Sequence, residues 1–202
     1  MNRRTFLKSV AMAGVVGALA GAGTLAGILD APVKASAAGT EPSRILIVYF
    51  SHTNNTRTVA EQIQILTGGR LLELKTTRQY PGNHKETVAI AVQENKSSAR
   101  PELTTVFPTN MDDYDTIFVG YPVWEYTMPM ALFTFFDQYK FPGKTIIPFS
   151  THQGSGLGGG PRDIARLCPE ATILDGLAIR GSNADKSQND VERWLKKLSF
   201  PL

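Results

Sequence analysis

The chain alternates between short, wholly apolar runs and longer stretches in which apolar residues recur every three or four positions. The first run is "RILIVYF" (44–50), continuous enough for a central parallel strand covered on both faces. Thr56–Leu66 then sets Val59, Ile63 and Leu66 at helical spacing. "LLELKTT" (71–77) alternates and predicts a second strand. Lys85–Lys96 predicts a helix with Val88, Ala91 and Val92 on one face. "DTIFVGYPVW" (115–124) predicts a buried strand running into a turn at Pro122, and "ALFTFFDQY" (131–139) a helix. In "KTIIPFS" (144–150), the next strand, Pro148 implies a bend or an edge. "PRDIARLCP" (161–169) predicts a short helix with proline near its start. "TILDGLAIRG" (172–181) predicts a last strand, and "QNDVERWLKKLSF" (188–200) a terminal helix with Val191, Trp194, Leu195 and Leu198 on one side. Five strands separated by helices predict an α/β, doubly wound, five-stranded parallel sheet with helices on both faces.

Residues 1–37 do not share this rhythm. Arg3, Arg4 and Lys8 are followed by a run of Ala, Gly, Val, Leu and Ile from Val10 to Leu29, and Ala35-Ser36-Ala37 offers small residues for cleavage. This is the layout of an export signal peptide, and "NRRTFLK" resembles a twin-arginine signal. The expected division is a signal at 1–37 and one domain at 38–202, exported and periplasmic or extracytoplasmic in a bacterium. The alternative is an uncleaved anchor, since about 20 apolar residues span a bilayer; the Gly and Ala content and the A-x-A site favour cleavage.

Setting the signal aside changes the charge. Residues 38–202 hold 17 basic and 17 acidic side chains, so the excess of +3 belongs to the first segment. No clustered Lys and Arg suggest a nucleic-acid surface. Cys168 is the single cysteine, so no intrachain disulfide forms, and its place before Pro169 suits a small packing residue. No spacing of His, Cys and carboxylates suggests a metal site.

In a doubly wound sheet, the loops after the strands gather at one edge, and ligands bind there. Three such loops are unusual. "SHTNNT" (51–56) places Ser51, Thr53, Asn54, Asn55 and Thr56 between a buried strand and a helix start. Such a start presents unpaired N–H groups and partial positive charge, and Thr56 can act as N-cap. The stretch lacks the G-x-x-x-x-G-K-[ST] of a triphosphate loop and the G-x-G-x-x-G of a dinucleotide fold; it suits a phosphate held by neutral groups, or a plain polar turn. The second, "GYPVWEYTMP" (120–129), puts Trp124 just beyond a strand end, either stacking on a planar ring or covering the core. The third, "STHQGSGLGGG" (150–160), has five glycines between Gly154 and Gly160, giving close backbone approach or a flexible surface loop.

In this order the segments "VYFSHTNNT", "SARPEL", "GYPVWEYTMP" and "STHQGSGLGG" resemble the flavodoxin family over Ser43–Leu202. The resemblance implies strand order 2-1-3-4-5, for which flavodoxin is itself the type example, and FMN as cofactor. It implies that Ser51, Thr53, Asn55 and Thr56 hold the phosphate, with Asn54 where the family usually has Gly. Pro122, Val123 and Trp124 would line the flavin ring. Thr151, His152, Gln153, Gly154 and Gly156 would approach its other edge. Glu125 and Tyr126 stand where relatives often carry a second Trp and a Gly.

The function so implied is FMN-dependent electron transfer. A second reading is an FMN enzyme taking hydride from NAD(P)H to a quinone or other small acceptor, with His152 and Tyr126 as proton donors or substrate partners. A third is a flavin-free binding module. The balanced charge of 38–202 lacks the acidic surface of many electron shuttles, which counts against a soluble shuttle and for the enzyme reading, with electron transfer kept first. His52 would present its backbone to the phosphate, His84 falls in an expected loop, and Arg57 either supports the phosphate loop or is solvated.

Overall fold

The computed structural model describes residues 44–200; the expected export signal lies outside the described residues. The strands are β1 (Ile45–Tyr49), β2 (Arg70–Glu73), β3 (Thr116–Pro122), β4 (Thr145–His152), β5 (Thr172–Ile173) and β6 (Leu177–Arg180). The helices are α1 (Asn55–Thr67), α2 (His84–Lys96), α3 (Met130–Gln138), α4 (Gly160–Leu167) and α5 (Gln188–Lys197). All strand pairings in the sheet are parallel, in the order β2-β1-β3-β4-β5, with β6 also on β4. No described helix is long and apolar enough to cross a membrane.

The continuous apolar runs are explained by two cores. Alternate residues of each central strand enter opposite layers, as strand periodicity demands. Leu46, Val48, Ile117 and Val119 face α3 and α4 through Leu132, Phe135, Phe136 and Ile164. Ile47, Phe118, Ile147 and Phe149 face α1 and α5 through Val59, Ile63, Val191, Trp194 and Leu195. Cys168 sits in the first layer without solvent exposure, and burial pushes its thiol up to about 11, so it is a packing residue.

Three expectations are corrected. The second strand ends at Glu73; Thr76 forms only an isolated antiparallel bridge with Leu103. The buried face of α2 is Thr87, Ala91 and Glu94, while Val88 is exposed. Burial of Glu94 is tolerated because the Tyr80 hydroxyl donates to it at 2.9 Å and Arg78 lies 3.6 Å away.

The third concerns Pro148, which lies inside the sheet rather than at its edge, paired with Val119 of β3. Its accommodation comes from the fifth strand. Ile146 pairs with Ile173 and Phe149 with Leu177, so one extra residue bulges between β5 and β6. The Ile146 carbonyl accepts from Leu174 N, hence residues 146, 148 and 150 present their backbone groups to that strand. The missing N–H of Pro148 therefore falls opposite the bulge, where no ladder bond is due. Trp194 Nε1 caps the bulge by donating to the Asp175 carbonyl at 2.9 Å.

At Gly120, the neighbour of Phe149 across the β3–β4 ladder, an added Cβ would collide with the Phe149 ring. That ring is fully buried and has nowhere to swing. Gly120→Ala is expected to destabilise the fold by about 1–3 kcal/mol, measured as a lowered denaturation midpoint; an unchanged midpoint would contradict the packing described.

Candidate cofactor site at the carboxyl edge of the sheet

From β1 the chain goes one way to β2, and later continues on the other side of β1 from β3 onward. The loops after β1 and β3 therefore diverge, and a crevice opens outside the strand ends. The glycine loop after β4 closes its far side.

The first loop turns into α1 through Asn54, whose φ of 64° is left-handed. Asn tolerates that region better than most residues, so the turn forms without glycine. The N-cap is Asn54, not Thr56, and it makes no side-chain cap bond. Thr56 is buried in the first turn, its Oγ1 2.8 Å from Thr151 Oγ1. The Ser51 hydroxyl accepts from Arg57 N at 3.3 Å. The first intrahelical bond runs from Thr58 N to the Asn54 carbonyl, so the N–H groups of Asn55 and Thr56 precede the first intrahelical donor and are left for a ligand or water. Arg57 is ion-paired while still partly exposed: its Nη2 donates to both carboxylate oxygens of Glu73, at 2.5 and 2.7 Å. The loop thus offers neutral donors.

The second loop is a tight hairpin. Trp124 and Thr127 exchange both backbone bonds at 2.9 Å. Glu125 (φ 46°) and Tyr126 (φ 63°) are both left-handed, as in a type I′ turn. Trp124 does both things the sequence allowed: it covers the core and lines the crevice. Its ring is held edge-on by Phe50, His52 and Tyr80, with centroids 5.4, 5.9 and 5.0 Å away.

The glycine loop is anchored. Ser150 Oγ donates to Gly156 O at 2.9 Å, and Tyr121 Oη donates to Leu157 O at 3.0 Å. Gly159 N donates to Tyr126 O at 2.6 Å, tying this loop to the hairpin. A Cβ on Gly158 would lie 2.6 Å from that same carbonyl, so close approach is why glycine stands there. His152 ends β4. Its imidazole is held below the usual histidine range by burial and then by the nearby Arg180 charge, and its Nδ1 is buried with no partner.

The three loops and α2 enclose a cavity of about 420 Å³. Thr53, Asn55, Pro122, Val123, Trp124, Thr151, His152, Gln153 and Gly154 line it together. Ser51, Asn54, Thr56 and Gly156 stand behind the lining and shape the turns. Tyr126 is not brought in: its side chain is 82% exposed, and its carbonyl serves the glycine loop. Glu125 also lines the cavity, while the α2 wall of His84, Thr87, Val88 and Ala91 and the side chain of His52 were not foreseen from the sequence. His84 is the first residue of a helix, not part of a loop. The signal was Asn83, whose side chain accepts from Lys85 N and Glu86 N and so marks the helix start. Arg100 of the "SARPEL" segment pairs with Asp137 and lies over the Phe133 ring, tying the connection before β3 to α3. Among the described residues, no group of three His, Cys, Asp or Glu is placed to hold a metal ion.

Residues 44–198 match the family model described as flavodoxin. Among solved structures, the chain is 25% identical to a candidate flavoprotein from Bacteroides eggerthii, covering 78% of this chain and 98% of that one with a TM-score of 0.66. A second, from Bacteroides uniformis, is also 25% identical, covering 77% and 99% with a TM-score of 0.66. A flavoprotein from Lactobacillus acidophilus, solved in complex with FMN, is 25% identical, covering 70% and 96% with a TM-score of 0.58. No curated protein matches the chain.

The hairpin carries a removable strain. A type I′ turn favours Asn-Gly, whereas Glu125 and Tyr126 hold left-handed backbone against their Cβ atoms. Replacing the pair, Glu125→Asn with Tyr126→Gly, is expected to stabilise the fold by about 1–2 kcal/mol. Denaturant unfolding checks this; loss of stability would show that the turn differs from the one described.

Proposed function

The chain belongs to the flavodoxin family, and we propose that it is an exported flavoprotein that binds FMN noncovalently and transfers electrons through it. One observation carries this reading: three loops with no common structural need for their composition converge on a single cavity at the switch point of the sheet. The residues fit the group. The N–H groups of Asn55 and Thr56 and the side chains of Thr53 and Asn55 would hold a phosphate. Pro122, Val123 and Trp124 give a flat apolar wall for the ring. At Gly181 a Cβ would meet Asn55 Nδ2 at 2.7 Å, so a side chain there would press on the Asn55 amide. When bound, FMN supplies one- and two-electron chemistry, and the protein supplies grip, orientation and electrostatics.

The second reading, an NAD(P)H-dependent enzyme reducing a quinone or another small acceptor, rests on the balanced charge of residues 38–202. His152 remains its candidate proton-bearing group because it lines the cavity. Export rests on residues 1–37 alone.

The full chain purified with FMN available is expected to retain flavin absorption bands after dialysis; a colourless protein that ignores added FMN would discard the reading in favour of a flavin-free module. Rapid bleaching of bound flavin on stopped-flow mixing with NADH or NADPH identifies the enzyme, and its absence the carrier. Thr53→Ala, Asn55→Ala and Trp124→Ala are each expected to weaken FMN binding about tenfold, read by flavin fluorescence titration. Tyr126→Ala, outside the cavity, is expected to leave affinity within about twofold.

A further inference from the structure

The chain has three histidines, and all three line this one cavity. They arrive from separate elements: His52 from the loop after β1, His84 as the first residue of α2, His152 as the last residue of β4. The other lining residues include no Lys, Arg or Asp, and Glu125 is the single acid among them.

The surrounding charges are already engaged or lie off the lining. Behind the first loop, Arg57 Nη2 donates to both carboxylate oxygens of Glu73. Beside His152, Arg180 donates to Gln153 O at 3.1 Å. On α2, Lys85 and Glu86 next to His84 are exposed and opposite in sign. Behind Tyr80, Glu94 faces Arg78. Among the lining side chains, positive charge can therefore come only from imidazoles that take up a proton.

The contacts leave a nitrogen free for that proton. Thr87 Oγ1 donates its single hydrogen to Pro81 O at 2.7 Å. Towards His52 Nε2, 3.4 Å away, Thr87 Oγ1 can therefore only accept. Nε2 is then the donor in this contact, which leaves Nδ1 as the His52 ring nitrogen without a bonded hydrogen. His152, whose imidazole burial and then the Arg180 charge hold below the usual histidine range, also presents a buried Nδ1 with no partner.

Resting on the FMN reading of the site, we propose that ligand capture here is proton-linked: a phosphate monoester enters the cavity with net uptake of about one proton by its ring of histidines. The sign follows from linkage. A bound anion favours the imidazolium, so affinity is highest where the histidines are charged. It falls as pH rises through the neutral range, where imidazoles titrate. Below about pH 6 the phosphate takes up its own second proton, which opposes the gain. A wholly neutral cradle would show none of the first effect.

Calorimetric titration of the full chain, without an affinity tag, tests this at pH 7.5 in two buffers of different ionisation heat. FMN is expected to bind with uptake of at least about half a proton, and riboflavin, which lacks the phosphate, with none. The three imidazole C2–H signals in the proton NMR spectrum give a readout that needs no variant: their titration midpoints should move up when FMN is added. FMN affinity should fall about tenfold between pH 6.5 and 8, but less than about twofold in the His52→Gln, His84→Gln, His152→Gln triple variant. FMN binding without proton uptake and with unmoved midpoints would overturn the proposal while leaving the FMN reading intact. Equal uptake with riboflavin would overturn it by removing the anion as cause. Failure of FMN to bind at all would remove both.

Discussion

Everything at the functional edge depends on the reversal of strand order beside β1. Parallel strands need crossovers, and crossovers are right-handed. Moving outward from β1 to β2 therefore puts α1 on one face. Moving back across β1 to β3 and onward puts the next helices on the other. The packing agrees: α1 and α5 share one core, α3 and α4 the second, and α2 packs against α3. Where the direction changes, no helix can cover the strand ends, and the crevice is a consequence of chain direction before any side chain is chosen.

This explains what the sequence revealed and what it hid. The central strands were legible because both faces are covered, so their apolar runs are unbroken. The three loops were legible because their residues do nothing for a strand or helix end: a polar run with no charge, an indole beyond a strand, a cluster of glycines. The face of α2 was hidden because Glu94 is buried through Tyr80 and Arg78, partners from a preceding loop that no periodicity discloses. Pro148 misled for a similar reason: the feature that accommodates it, the bulge between β5 and β6, belongs to a strand more than twenty residues later. The placement of His84 required knowing that the start of α2 leans over the crevice, a tertiary fact with no local signature.

The electrostatics of the site reward the same kind of accounting. Arg57 sits where a cation for the phosphate would be expected, yet Glu73 engages it. What this loop would offer an anion is then backbone N–H groups held by the turn at Asn54 and by the Ser51 contact with Arg57 N. Donors fixed in this way lose little freedom on binding, which is the advantage of preorganisation. The cost appears in the backbone: Asn54, Glu125 and Tyr126 all occupy left-handed conformations around this edge.

The walls of the cavity differ in how firmly they are held. The hairpin and the glycine loop are joined by Gly159 N to Tyr126 O, with Ser150 and Tyr121 bonding the loop back to the sheet. That side is a single body fixed by main-chain contacts. The opposite wall, the first turns of α2, meets the β1 loop through side chains: the long contact between Thr87 and His52, and the edge-on packing of Tyr80 with His52 and Trp124. Aromatic edges are individually modest, about 0.5–1.5 kcal/mol beyond burial. If one side of this cavity adjusts to a ligand, the physical reason favours α2, and its adjustment would carry His84 and Val88 with it.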